Sequence, residues 1–162
     1  MTRRHPDLPK KVLKRDSDIV AKIMKFWEAS QNGPALIDLF IKESKGLSDE
    51  RYWEILRSVW IMAGSNESTE KFRKLLSSPR KQKFYFSTPE DAKKLRELPE
   101  SITVWRACND GEEQGIAWTT SKQYAERYQE MFFKSKIVSM EVNRIKIFAY
   151  IGRNLEDEVI IL

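Results

Sequence analysis

The sequence predicts an α+β protein in which a helical N-terminal half packs on a small β-rich C-terminal part. Three observations predict it. Up to Leu98 the apolar residues recur at spacings of three and four, the signature of helices with one buried face. After Pro99 they fall in short runs rich in Val, Ile and Trp, separated by turn formers. The chain has 162 residues, 41% hydrophobic and 11% aromatic, enough to bury a core in one ordinary domain.

The elements follow in order. Met1 to Ser17 carries six cations and two prolines and reads as a flexible basic arm, suited to a solvated tail or to contact with nucleic acid. From Asp18, Ile19, Ile23, Phe26 and Trp27 share one helical face. Gln31-Asn32-Gly33-Pro34 stops that helix, and Pro34 suits the first turn of the next, whose stripe is Leu36, Leu39 and Phe40. Ser48 is placed as an N-cap, with Asp49 and Glu50 in the first turn. Tyr52, Ile55, Leu56, Val59, Trp60 and Ala63 then line one side of a long helix. Phe72, Leu75 and Leu76 mark a shorter one. Thr88 caps a last helix, Pro89 to Leu98, which presents Ala92, Leu95 and Leu98. Strands are expected at Ile102–Ala107, Gly115–Thr120, Lys136–Val142, Ile145–Ile151 and Asp157–Leu162, with one helix, Ser121–Phe132, between the second and third. The expected organisation is an arm over 1–17, a helical region over 18–98 and a β core over 99–162, with 18–162 folding as one unit.

Counting removes several chemistries. The single cysteine, Cys108, allows no intrachain disulfide and no Cys-rich zinc site, so no metal is expected. Cys108 reads as a buried strand cysteine. The single histidine, His5, lies in the arm, away from any triad. None of the six glycines forms a nucleotide-binding loop. No apolar run reaches the length of a membrane span, and the first residues lack the apolar segment of a signal peptide. No membrane contact is expected, and a cytoplasmic location is. The net charge is +5, from 29 basic and 24 acidic residues. Interleaved acids of that number limit any footprint on nucleic acid.

Three polar positions interrupt the apolar runs of the β-rich part. Arg106 ends the strand Ile102-Thr103-Val104-Trp105. Thr119, Thr120 and Ser121 end the strand Gly115-Ile116-Ala117-Trp118. Glu156 and Glu158 open the strand Val159-Ile160-Ile161-Leu162, where alternation would aim both carboxylates at one face. Each has an ordinary reading of its own: a surface salt bridge, a helix N-cap, and charges guarding a sheet edge.

Taken in order, Val-Trp-Arg-Ala, Ala-Trp-Thr-Thr-Ser and Glu-Asp-Glu-Val-Ile-Ile resemble the Arg–Ser–Glu signature of ADP-ribosyltransferases. The helix with Tyr124-Ala125-Glu126-Arg127-Tyr128 and the strand Ile147-Phe148-Ala149-Tyr150 fit the same pattern. The run is most similar to small phage and bacterial proteins of this kind, and the resemblance covers roughly residues 99–162 and, more weakly, the helices from Tyr52. It implies a small two-sheet β core and an NAD-dependent mono-ADP-ribosyltransferase, a glycosyltransferase acting on a protein of a bacterial host in the manner of an effector or toxin. NAD is its substrate.

The resemblance also implies roles. Glu158 would stabilise the positive charge that develops on the ribose as nicotinamide leaves. Glu156 would orient or activate the acceptor. Arg106 would grip the NAD phosphates or ribose through its planar guanidinium. Thr119 would hold the catalytic glutamate, with Thr120 or Ser121 as the alternative motif hydroxyl. Trp118 or Tyr124 would stack on nicotinamide. The family's hydroxyl motif usually begins with serine, and related chains often carry glycine where Ala107 stands. These departures leave a second reading open: a non-catalytic module on the same fold that blocks a host defence or transcription complex.

Overall fold

The computed structural model describes residues 8–64 and 68–162. The chain divides into two compact units, Met1–Phe86 and Ser87–Leu162. Among the described residues there are six α-helices and five strands, so the mixed α+β class is as expected.

The first unit is helical. Helix α1 spans Lys10–Ser30, so the expected arm is corrected: its residues from Lys10 to Ser17 are helical. Met1–Asp7, including His5, lie outside the described residues. The early start has a physical cause. Asp16 is buried and accepts both the Ser48 N–H (2.9 Å) and the Ser48 hydroxyl (2.5 Å), which ties this stretch to the start of α3. Ser48 therefore occupies the N-cap position of α3 without capping it through its side chain. Helix α2 (Gly33–Glu43) is capped by Asn32, whose side chain accepts from the Ala35 N–H at 3.0 Å. A Cβ on Gly33 would stand 2.6 Å from the Ala63 carbonyl, so only glycine lets α2 begin against the end of α3 (Asp49–Ala63). The core comprises Ile23, Leu36, Ile37, Phe40, Trp53, Leu56, Val59, Trp60, Phe72 and Leu76, with Phe72 and Leu76 supplied by α4 (Thr69–Leu76). Trp60 meets Phe72 edge-on at 4.9 Å.

The second unit contains α5 (Pro89–Glu97), the sheet and α6 (Lys122–Met131). The boundary thus falls before α5, which the sequence pattern placed with the helices. Leu95 and Leu98 pack against the sheet core. Arg144 donates to the Arg96 and Leu98 carbonyls at 2.7 and 2.6 Å, a cation satisfying the end of α5. Thr88 caps its start, accepting from the Asp91 N–H at 3.1 Å.

The strands are β1 (Ser101–Cys108), β2 (Ala117–Thr119), β3 (Lys136–Asn143), β4 (Ile147–Ile151) and β5 (Glu158–Ile161). They form one antiparallel sheet in the order β3-β1-β2-β5-β4, where two sheets were expected. The joint is narrow: β2 meets β1 through the single pair Trp105↔Thr119, while three pairs join it to β5. Val104, Trp118, Val142, Ile147, Tyr150 and Val159 form the core of one face. Helix α6 lies against β1, β2 and β3.

Candidate active site

Register and alternation decide which of the singled-out residues meet. Thr119 on β2 stands opposite Glu158 on β5. Ladder bonds join the pair one step away, from the Thr120 N–H to Asp157 O (3.1 Å), and the pair three steps away on the other side, from the Ile161 N–H to Ile116 O (2.9 Å). Antiparallel ladders alternate, so Thr119 and Glu158 form a non-hydrogen-bonded pair, the class whose Cα atoms approach to about 4.5 Å. Trp118 and Val159 point into the core, so Thr119 and Glu158 occupy the opposite face.

Glu156 reaches the same place by another route. Strand β5 begins at Glu158, so Glu156 lies in the connection from β4 and strand alternation does not govern it. Asn154, Leu155 and Asp157 have φ of 50°, 60° and 44°. For residues other than glycine this left-handed region costs about 1–2 kcal/mol each, so the loop needs anchors. One is the Thr119 hydroxyl, which donates to the Glu156 carbonyl at 2.6 Å and accepts the Ser121 N–H at 3.0 Å. Thr119 therefore acts on the glutamates through the backbone that carries them. Ser121 caps α6, accepting from the Tyr124 N–H at 3.1 Å.

This cap sets Tyr124 beside the carboxylates. Burial first, then the negative charges of Glu156 and Glu158, push its phenol up to about 12, against a smaller opposing effect of Arg153. Arg153 itself stands 3.7 Å from Glu156. One cluster thus holds two carboxylates, a neutral phenol, a guanidinium and a hydroxyl-pinned backbone. Tyr124 also begins a ladder along α6: its ring lies 6.2 Å from Tyr128, which lies 4.4 Å from Phe132.

Arg106 and Trp118 are placed elsewhere. Arg106 follows Val104 by two residues, on the core face of β1. It is 9% exposed and donates to the Glu112 and Ala117 carbonyls at 3.1 and 2.9 Å. A Cβ on Gly115 would lie 2.1 Å from its guanidinium carbon, so the loop backbone passes directly over the charged group. Trp118 is buried in the core and donates to the Gly115 carbonyl at 2.9 Å. Thr120 pairs with Asp157 through the ladder bond above. The same loop is held by Lys134 on Glu112 (3.1 Å) and by Lys136 on Asp110 (2.7 Å) and Glu113. Hydrogen bonds from the Asn109 backbone and from Lys134 hold the Glu112 carboxyl below its usual range. Cys108 is buried, and burial raises its thiol.

Sequence reasoning missed Arg153, Tyr150, Asp157 and Asp91, all of which bear on this loop. Arg153 and Asp157 carried a local signal, charges flanking the two glutamates; Tyr150 and Asp91 act through long-range contacts that no spacing reveals. Among the described residues no group of three or more His, Cys, Asp or Glu is arranged to hold a metal ion. No helix there is long and apolar enough to cross a membrane. Compared with family models, with curated proteins and with solved structures, the chain matches none.

Proposed function

We propose that the protein is an NAD-dependent mono-ADP-ribosyltransferase acting on a protein acceptor, with its chemistry at Glu158 and Glu156 on an ADP-ribosyltransferase-type core. The observation that carries this reading is the cross-strand pair Thr119–Glu158, with Glu156 and Tyr124 gathered beside it. A fixed carboxylate suits a reaction in which the bond from the ribose to nicotinamide breaks, nicotinamide leaves with the bonding electrons, and positive charge develops on the sugar. Glu158 stabilises that charge. The acceptor nucleophile attacks the ribose carbon and its proton passes to Glu156. Tyr124, neutral at physiological pH, offers a ring for the leaving base and a hydroxyl for the carboxylates. The backbone contacts of Arg106 support a different role from the phosphate grip that the resemblance implies: Arg106 shapes the 109–117 loop and fixes β2, while Arg153 is a cation on the carboxylate side.

Release of free nicotinamide from NAD tests this. Wild-type protein turns NAD over, and Glu158→Gln, which keeps shape and removes charge, loses at least about 100-fold of the rate, the scale of one transition-state electrostatic contact. Equal rates in the two would remove Glu158 from the chemistry.

A second reading is favoured by one observation, the exposed apolar tip of Met131, Phe132 and Phe133 at the end of α6. On that reading the chain is a non-catalytic module that blocks a bacterial complex by docking through this tip. Glu158→Gln would then keep its full biological effect, and Phe133→Ser would lose it.

A further inference from the structure

We propose that Tyr150 and Asp157 are positioning residues for Glu158, and that their bond on the core face of the sheet fixes the loop that carries Glu156 and leads into Glu158 on the other face. The inference rests on the reading of Glu158 given above. Tyr150 is 5% exposed and pairs with Val159 across β4 and β5. Its hydroxyl donates to the Asp157 carboxylate. Asp157 has φ 44° and immediately precedes Glu158. Any rotation of its backbone turns Glu158 away from Thr119. The phenol grips this residue's side chain, while the Thr120 N–H grips its carbonyl at 3.1 Å.

The start of the loop is held as firmly. The Gly152 N–H donates to Asp91 at 3.1 Å. Asp91 is 7% exposed and is fixed in the first turn of α5 by the Thr88 cap. A Cβ on Gly152 would meet the Tyr150 ring at 2.8 Å and Asp91 at 3.4 Å. Glycine is therefore what lets the chain pass between the phenol and the carboxylate. The loop leaves β4 under Asp91, runs through left-handed residues and is caught again by Tyr150 one residue before Glu158. Burial and the negative charges around it raise the Tyr150 phenol, so the donor keeps its proton at neutral pH.

The test uses the full chain and three substitutions. Tyr150→Phe keeps the ring and removes the donor. Asp157→Asn keeps an acceptor for the phenol, and Asp157→Ala removes it. The expected kcat for NAD turnover falls about 10- to 100-fold in Tyr150→Phe and in Asp157→Ala, the range that small misplacement of a reacting group produces. KM for NAD stays within about threefold, because substrate contacts are untouched. Asp157→Asn restores most of kcat, and the double variant Tyr150→Phe/Asp157→Ala is no worse than either single one. Amide hydrogen exchange at residues 153–158 rises at least about tenfold in the two impaired variants. Wild-type kcat and wild-type exchange in Tyr150→Phe would overturn the proposal. So would equal losses in Asp157→Asn and Asp157→Ala. Should the wild type release no nicotinamide, the functional reading fails, and the exchange measurement still decides whether this bond fixes the loop.

Discussion

The helical unit and the sheet unit fix their side chains by different means. Among the described residues, the fully buried aromatic side chains, Trp53, Trp60, Phe40, Phe72 and Phe86, all lie in Met1–Phe86. The largest fully buried side chains of Ser87–Leu162 are isoleucines, Ile116, Ile151 and Ile160. In its place the sheet unit uses polar anchors: Arg106 on two carbonyls, Thr119 on the Glu156 carbonyl, and Asp91 on the Gly152 N–H. The charges divide as well. Residues 1–86 carry 18 Lys+Arg and 11 Asp+Glu, and residues 87–162 carry 11 and 13. The mild net charge of the whole chain thus conceals a basic helical part and a slightly acidic sheet part. The helical core buries a charged group such as Asp16 where Ser48 donates to it, whereas the anchored loop of the sheet unit holds charged groups in conformations that packing alone would not maintain.

The comparison can be broken first where packing dominates. Trp53→Ala should cost about 3–5 kcal/mol, the usual toll of deleting a large buried aromatic, and it also frees the Lys81 carbonyl that the indole N–H meets at 2.7 Å. Denaturant unfolding measures it; a loss under 1 kcal/mol would show that the helical core is not close-packed around this ring. In the sheet unit, Arg106→Ala should cost about 3 kcal/mol, because it removes a buried guanidinium and its bonds to the Glu112 and Ala117 carbonyls. Arg106→Lys should recover only part of this, since an ammonium lacks the planar fork. Full recovery by lysine would mean that charge, and not geometry, is what the loop requires.

Smaller effects sharpen the contrast. Thr119→Val keeps the shape and leaves the Glu156 carbonyl and Ser121 N–H without their partner, a loss of about 1–3 kcal/mol, while Thr119→Ser should stay within about 0.5 kcal/mol. Equal stability of the Val and Ser variants, read from melting curves, would remove the hydroxyl from the anchoring scheme. High pH acts on both units. Tyr52 and Tyr150 are raised, and Tyr124 is raised to about 12, each chiefly by burial. Free phenols ionise near pH 10, so the unfolded chain gives up these protons first. Stability is therefore intact below about pH 10 and falls as pH rises through the folded values. Phenolate absorbance followed beside circular dichroism should show these rings ionising late, together with loss of structure.

The same difference governs how much could be read in advance. Period-3.6 stripes placed Leu36, Phe40, Ile55, Leu56, Val59 and Trp60 in the core, because helix burial repeats with the sequence. The start of α1 was misplaced because Asp16 finds its partner 32 residues away, at Ser48. Strand runs were legible in the short β-rich segments between turn formers, whereas the nearness of Thr119 to Glu158 was implied only by the resemblance. The loop 152–157 was not: φ above zero at Asn154, Leu155 and Asp157 has no compositional mark, and Tyr150 and Asp91 reach it from β4 and from α5. Arg106 was legible as special for a different reason from its observed contacts, because a strand-end arginine looks alike whether it awaits an anion or clamps a loop.

Label transfer from adenine-labelled NAD tests the central claim most directly. Purified wild-type protein and Glu158→Gln, matched in circular dichroism and melting temperature, would each be mixed with a bacterial lysate. The account predicts label on a discrete protein band with the wild type and at least about 100-fold less with the variant. Equal labelling by both proteins, or neither label nor released nicotinamide from the wild type, would contradict it.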